Sequence, residues 1–301
     1  MEIVIADAGS TDGTLELART YGVDQVVGNP LQTGESGKAV GARAARGEVL
    51  AFVDSDNILV GTDWLRRMTA PFANPEVVST EALRWDYAPH YSFVDRYCAL
   101  TGVNDPASIF VGNYGRYSYL TARWTGFPVD QEQREGYIRV RVDPELMPTM
   151  GANGYLVRAQ PFREVLEGDY IFDIDAVGVL ARHGYDVVAR VDVPIGHLFS
   201  PTYRVFARKT RRRARDFLYY SGRGERSYPW KRYRGGLALF VVSTVTTVPL
   251  LAQSAVGYAR KRDRAWWFHP VACWTTLVIY GWEAVRARIK RERHTRSGWR
   301  Q

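Results

Sequence analysis

The apolar run Val49-Leu50-Ala51-Phe52-Val53 passes without interruption into Asp54-Ser55-Asp56-Asn57, and no other stretch constrains the fold of the chain as tightly. Five consecutive apolar residues fit a strand buried inside a sheet. Side chains at i and i+2 of an extended segment point the same way, so Asp54 and Asp56 are expected to face one ligand at the mouth of that strand. Hard oxygen donors suit Mg2+ or Mn2+, which keep coordination sites free for phosphate oxygens and water. Taken alone, an Asp-x-Asp pair also occurs in surface turns that bind nothing.

Upstream, Glu2-Ile3-Val4-Ile5-Ala6 reads as a second buried strand and leads into Asp7-Ala8-Gly9-Ser10-Thr11-Asp12-Gly13-Thr14. A helical pattern follows through Leu15, Leu17, Ala18 and Tyr21, and Ser10, Thr11 and Asp12 are all good helix N-caps. Asp7 at this turn can accept hydrogen bonds from a nucleotide base or ribose, or the turn is simply a capped connection without a ligand. Alternating strand and helix patterns imply an α/β domain with a mostly parallel sheet and ligands at the strand C-termini.

The order of these segments carries more than any one of them. After the Asp7 turn come Gly37-Lys38-Ala39-Val40-Gly41-Ala42-Arg43, then Ala45-Arg46-Gly47-Glu48, then the strand that ends in Asp54-Ser55-Asp56. The series closely resembles the nucleotide-sugar half of the family 2 glycosyltransferases, inverting enzymes of the GT-A fold. The resemblance implies nucleotide-sugar contacts from Asp7, Lys38, Arg43 and Asp54. It also implies a Mg2+ or Mn2+ ion held on the diphosphate by Asp54 and Asp56.

A second block extends the resemblance. Met150-Gly151-Ala152-Asn153-Gly154-Tyr155 looks like the family's glycine-rich acceptor-side segment, which points to Gly151, Asn153 and Gly154. Further on, Phe172-Asp173-Ile174-Asp175 precedes Gly184-Tyr185 where the family usually carries Glu-Asp-x-Asp. This places the catalytic general base on Asp173, with Asp175 the other candidate, and Phe172 departs from the usual Glu. An inverting transfer needs a base to take the acceptor hydroxyl proton while the departing nucleoside diphosphate is neutralised. Without the resemblance, these carboxylates read as an acidic helix start that complements the helix dipole. His197, after the strand-like run 186–191, is the third expected metal ligand or else a packed histidine. Between the two blocks, residues 84–148 are rich in aromatics. There 113–117 and 124–128 read as loops bordering the acceptor cleft.

Charge divides the chain sharply. Residues 1–203 carry 17 Lys plus Arg against 27 Asp plus Glu, whereas residues 204–301 carry 23 against 5. Within the basic part, 235–257 holds no charged residue and as one helix would extend about 34 Å, enough for a hydrocarbon core of about 30 Å. A second apolar stretch, 266–285, opens on Trp266-Trp267, residue types suited to a lipid interface. Lys231, Arg232, Arg234, Arg286, Arg288, Lys290, Arg291 and Arg293 flank the pair and place both ends in the cytoplasm, with the catalytic domain on that face. The intervening 258–265 is also basic, so a spanning hairpin and a re-entrant or interfacial one both remain open. The cations flank apolar segments instead of interleaving with a nucleic-acid motif, so anionic lipids and not nucleic acid are the expected partner.

The expected organisation is a catalytic domain at 1–203, a basic amphipathic segment at 204–234 and a two-helix membrane hairpin with a basic tail at 235–301. Cys98 and Cys273, one in each part, build neither a disulfide framework nor a zinc site. The function expected is metal-assisted transfer of a sugar from a nucleotide-diphosphate sugar to a lipid-linked or cell-envelope glycan acceptor. A catalytically inactive GT-A-like binding or scaffold subunit is the alternative. Family 2 enzymes usually begin with one more strand and a Pro-x-(Tyr/Phe)-Asn-Glu-like loop ahead of the strand that here starts at Glu2. The resemblance therefore implies an exposed strand edge and an incomplete nucleotide pocket.

Overall fold

Short apolar runs closed by Gly, Asp and Asn turns become strands here, and the amphipathic stretches between them become helices. The structure is a computed structural model that describes residues 1–165, 168–221, 226–229 and 234–290. The first half runs β1 (Val4–Asp7), α1 (Thr14–Thr20), β2 (Gln25–Gly28), α2 (Gly34–Ala44), β3 (Val49–Phe52), β4 (Asn57–Leu59), α3 (Trp64–Thr69), β5 (Val77–Trp85), α4 (Phe93–Thr101) and α5 (Ala107–Val111). The second half continues with β6 (Asp130–Arg134), β7 (Tyr137–Arg141), β8 (Tyr155–Arg158), α6 (Ala159–Val165), α7 (Asp173–Arg182), β9 (Val187–His197) and α8 (Tyr203–Ser221). Three further helices follow: α9 (Arg234–Thr246), α10 (Val248–Arg260) and α11 (His269–Lys290).

Seven strands form one sheet in the order β3-β8-β5-β9-β7-β6, with β4 paired to β9. The expected mostly parallel sheet is corrected to a mixed one: β5 and β9 pair in parallel, and the other pairings in this sheet are antiparallel. The cause is β8, which enters antiparallel between β3 and β5, and the β6–β7 hairpin, whose second strand lies antiparallel on β9. β1 and β2 pair in parallel as a separate two-stranded sheet. Among the described residues, the second edges of β1 and β3 have no partner strand.

β5 and β9 are buried along almost their whole length, so the sheet is covered on both faces. One layer is built from Trp64, Met68, Tyr97, Leu100, Phe206 and Trp266. The opposite layer uses Ala39, Ala42, Met147, Phe162, Val177 and Leu180. Phe206 belongs to α8, so this basic helix packs into the core of the domain it follows. Lys38, Asp54, Asp56, Asp173 and Lys209 sit where α2, the β3–β4 turn, α7 and α8 converge.

The expected single helix over 235–257 is broken. α9 and α10 meet at Thr247, whose φ of 62° leaves the helical region, and are bent by 94°. Pro249 near the start of α10 has no N–H to donate and disfavours a continuous helix through the residues before it. Among the described residues no single helix is long and apolar enough to cross a membrane, although the bent pair passes on length and composition together. Trp266, expected at a lipid interface, is fully buried in the main core, while its neighbour Trp267 is exposed. Lys231, Arg232, Arg291 and Arg293 lie outside the described residues.

Candidate active site

The Asp54–Asn57 turn is locked from both ends. The Asn57 N–H donates to the Asp54 carbonyl at 2.9 Å, and the Asp54 N–H donates to Asn57 Oδ1 at 3.1 Å. Asn57 Nδ2 donates in turn to Asn153 Oδ1 at 3.0 Å. Asn153 holds a left-handed backbone, φ 55°, which Asn tolerates better than most residues. Arg116 Nη2 donates to the carbonyls of Ala152 and Asn153 at 2.7 and 3.1 Å, and its Nη1 pairs with Glu81 at 2.6 Å. Glu81 also pairs with Arg190, and all three residues are buried. A buried ion triad thus anchors the segment that steadies the Asp54 turn.

Within the turn the two acidic side chains part company. Asp54 takes the Lys38 ammonium at 2.9 Å, and Asp173 takes the same ammonium at 2.7 Å. Lys38 projects from the middle of α2, which starts on a Thr33 N-cap bonded to Ser36 N–H. Burial works against the ammonium, but Asp173 and Asp54 outweigh it and hold the Lys38 pKa above the ordinary lysine range. Burial pushes the Asp173 carboxyl up to about 6 against the pull of Lys38, with Asp54 adding to the rise. Asp173 still keeps 21% of its side chain open, in the first turn of α7.

Asp56 turns to the other side, where His197 Nε2 lies at 3.6 Å and Lys209 Nζ at 3.3 Å. The antiparallel pairing of β4 on β9 sets Asn57 opposite His197, which brings the histidine to the turn. Burial works to raise the Asp56 pKa, but His197 and Lys209 prevail and hold it below the usual carboxylate range. Among the described residues no three His, Cys, Asp or Glu side chains are gathered at metal-binding geometry. Asp56 and His197 nevertheless fit two positions on one cation. Cis ligands of an octahedral ion stand about 3.0 Å apart, within a small adjustment of the 3.6 Å observed.

The remaining expected residues lie elsewhere. Asp7 is folded onto its own turn, accepting from the N–H groups of Gly9 and Ser10 at 2.8 and 3.0 Å. The Ser10 hydroxyl and these N–H groups hold its pKa low. Arg43 is five residues beyond Lys38, a different face of α2, and pairs with Asp169 at 2.9 Å. Asp175 is buried and taken up by Arg226, which donates from Nε and Nη2 at 2.9 Å each, while the Ser227 N–H adds a third bond. Phe172 packs edge-on against Tyr220 and beneath the Arg226 guanidinium, so the departure from Glu serves this anchor.

The glycines serve packing between protein segments. A Cβ at Gly151, φ 104°, would lie 2.3 Å from the Asp173 carbonyl, and one at Gly154 would strike Ile195 at the same separation. Gly151 therefore lets the loop close on the first turn of α7, where Asp173 stands. The loops at 113–117 and 124–128 contribute core more than cleft: Asn113, Tyr114, Arg116 and Trp124 are buried, and Trp124 lies under the Arg190 guanidinium. Lys209 is the site residue that sequence reasoning missed. Its place in the Arg-rich run that forms α8 was the available signal.

Residues 1–90 match the family model described as glycosyl transferase family 2. Those 90 residues are what is similar to the family. No curated protein matches the sequence. Nine solved chains do match. One is the mannosyltransferase PcManGT from Pyrobaculum calidifontis in complex with GDP-Man and Mn2+. It is 15% identical with a TM-score of 0.48, the match covering 94% of this chain and 78% of that one. The matched segment includes Asp7, Lys38, Asp54 and Asp56, while Asp173, His197 and Lys209 lie beyond it.

Proposed function

We propose that this glycosyltransferase moves a sugar from a nucleoside-diphosphate sugar to a lipid-linked or cell-envelope acceptor, with inversion and with Asp173 as general base. The observation that carries the reading is the Lys38 ammonium held between Asp54 and Asp173, with the Asp173 carboxyl raised to about 6. A base tuned to that range is ionised near neutrality yet keeps appreciable proton affinity, the balance that proton abstraction needs. Its partly open carboxylate takes the acceptor hydroxyl proton as the new glycosidic bond forms and the bond to the diphosphate breaks. Lys38 orients it and keeps it ionised.

Asp56 and His197 would hold Mg2+ or Mn2+, while Asp54, the other expected ligand, stays on the Lys38 ammonium. A divalent ion bound there supplies charge neutralisation for the departing diphosphate. Lys209, now against Asp56, and Lys38 provide fixed cations for the same phosphates. An acceptor phosphate would need no base, and Asp173 would then position it instead.

The deciding experiment is Asp173→Asn assayed for transfer and for donor binding. Loss of turnover by about 10²- to 10⁴-fold with donor affinity kept supports the base role. Turnover near that of the parent chain removes it.

A further inference from the structure

The helices after α8 leave a large apolar surface bare, and their attachment to the domain fixes how such a surface can meet a bilayer. Val271, Trp274, Val278, Trp282, Val285 and Ile289 are all exposed, and their spacing of three and four residues makes one continuous stripe along α11, with Trp267 exposed in the turn just before it. The opposite stripe, Ala272, Cys273, Thr276 and Glu283, is buried, with Glu283 paired to Arg211 and Arg215 of α8. At the α9–α10 bend Val242, Val245, Val248 and Leu251 are exposed as well, Val248 to 70%. The Trp274 indole N–H donates to Thr247 Oγ1 at 3.0 Å, so stripe and bend form one surface. Exposed apolar area on this scale marks an interaction site.

Both feet of the bent pair are fixed to the catalytic domain. Gly236 at the start of α9 lies against Val111, where an added Cβ would stand 2.6 Å from the Val111 Cα. The connection after α10 is bound just as firmly: Asp263 accepts from Arg96 Nε at 2.9 Å and from the Tyr87 hydroxyl. The Arg260 guanidinium donates to the Tyr119 carbonyl at 3.2 Å, and Trp266 is buried in the main core. A hairpin that crossed a bilayer would hold this connection on the far side, about 30 Å from the domain. Each arm of 13 residues is about 20 Å long. Bent by 94°, the two arms raise their apex by about 14 Å, close to half of that core.

We propose that α9 and α10 dip into one leaflet of an anionic phospholipid bilayer and return, with the exposed stripe of α11 lying in the same interface. The chain is thereby held on the membrane without crossing it. Cations rim the apolar surface: Arg204, Arg208, Arg211 and Arg212 on α8, Arg262 and Arg264 beside the connection, and Arg288 on α11 are all exposed. They complement anionic headgroups, whereas a second copy docked on this face would set like charges against like. The bend suits lipid, because the Thr247 N–H and hydroxyl are both bonded within the fold. The proposal rests on the lipid-linked acceptor reading above only for its biological sense. Its readouts need no sugar transfer, so the two fail separately.

The test floats the full chain with phosphatidylcholine vesicles, with and without phosphatidylglycerol, in low and in molar salt. Expected is flotation with the anionic vesicles that persists in molar salt. In the triple variant Val242→Glu, Val245→Glu, Val248→Glu it should fall about tenfold or more, with the circular dichroism unchanged. Because Cys98 and Cys273 are buried, Arg262→Cys and Arg66→Cys each offer one accessible thiol. Added to bound protein from outside, a membrane-impermeant maleimide should label both to the same extent. Protection of the Arg262→Cys thiol alone would show a crossing hairpin and overturn the proposal. So would failure of the parent chain to float, or a dimer that the triple variant dissolves and that binds no vesicles.

Discussion

Lys38 and Asp173, 135 residues apart in the chain, meet at 2.7 Å, and Asp54 lies on the other side of the same ammonium. The charge state of Asp173 therefore answers to both neighbours with opposite sign. Its pKa stands at about 6, so turnover falls as pH drops through that value and the base is protonated. Lys38 pulls this pKa down, and Lys38→Met should move the acid limb of the kcat profile to higher pH. Asp54 pushes it up, and Asp54→Asn should move the limb to lower pH. Profiles that shift in the same direction for both variants would refute the triangle.

Lys209 occupies the side of Asp56 that a divalent ion needs. The pair is partly exposed, 37% and 30%, so it contributes only a fraction of a kcal/mol. Lys209→Met should tighten Mn2+ binding to the donor-free protein by about two- to fivefold, read by calorimetry. Asp56→Asn and His197→Ala should weaken it. An unchanged Mn2+ affinity in the His197→Ala protein would take that imidazole out of the metal site.

The bond between Asn57 and Asn153 ties the acidic turn to the Arg116 anchor. Asn153→Gly keeps the left-handed backbone but removes the side chain, so it should lower kcat while moving Tm by no more than a few degrees. Asn153→Ala adds backbone strain of about 1 kcal/mol and should lower Tm as well. Equal effects of the two variants on kcat would assign the loss to the missing hydrogen bond. Turnover retained by both would show that the turn holds Asp54 without it.

The local motifs were legible in the sequence because each is encoded within a few residues. The Val4–Asp7 and Val49–Phe52 strands and the Thr14–Thr20 helix each follow from apolar periodicity and the turn residues between them. That Asp54 and Asp56 would face different partners was not legible, since Asn57 folds the segment into a turn where an extended strand was expected. Strand direction was equally hidden, because β8 sits between β3 and β5 through contacts far apart in the chain. One face of the basic helix turns inward: burial of Phe206, Ala214 and Tyr220 delivers Lys209 to the site, while Arg208, Arg211 and Arg212 stay exposed on the other face.

Asp173 and Asp175 were alternatives for one role, and their surroundings now separate them. Both oxygens of Asp175 are bound by Arg226, with side-chain exposures of only 7% and 12% for the pair. Removing one partner of a buried pair leaves the other charge unsatisfied, at a cost of about 3 kcal/mol or more. Asp175→Ala should therefore lower Tm by roughly 6 °C or more and expose the 226–229 segment to faster hydrogen exchange. The acid limb of its pH profile should stay where it is, because Asp173 keeps Lys38 and Asp54. A stable Asp175→Ala protein that has lost turnover would transfer the base role from Asp173 to Asp175.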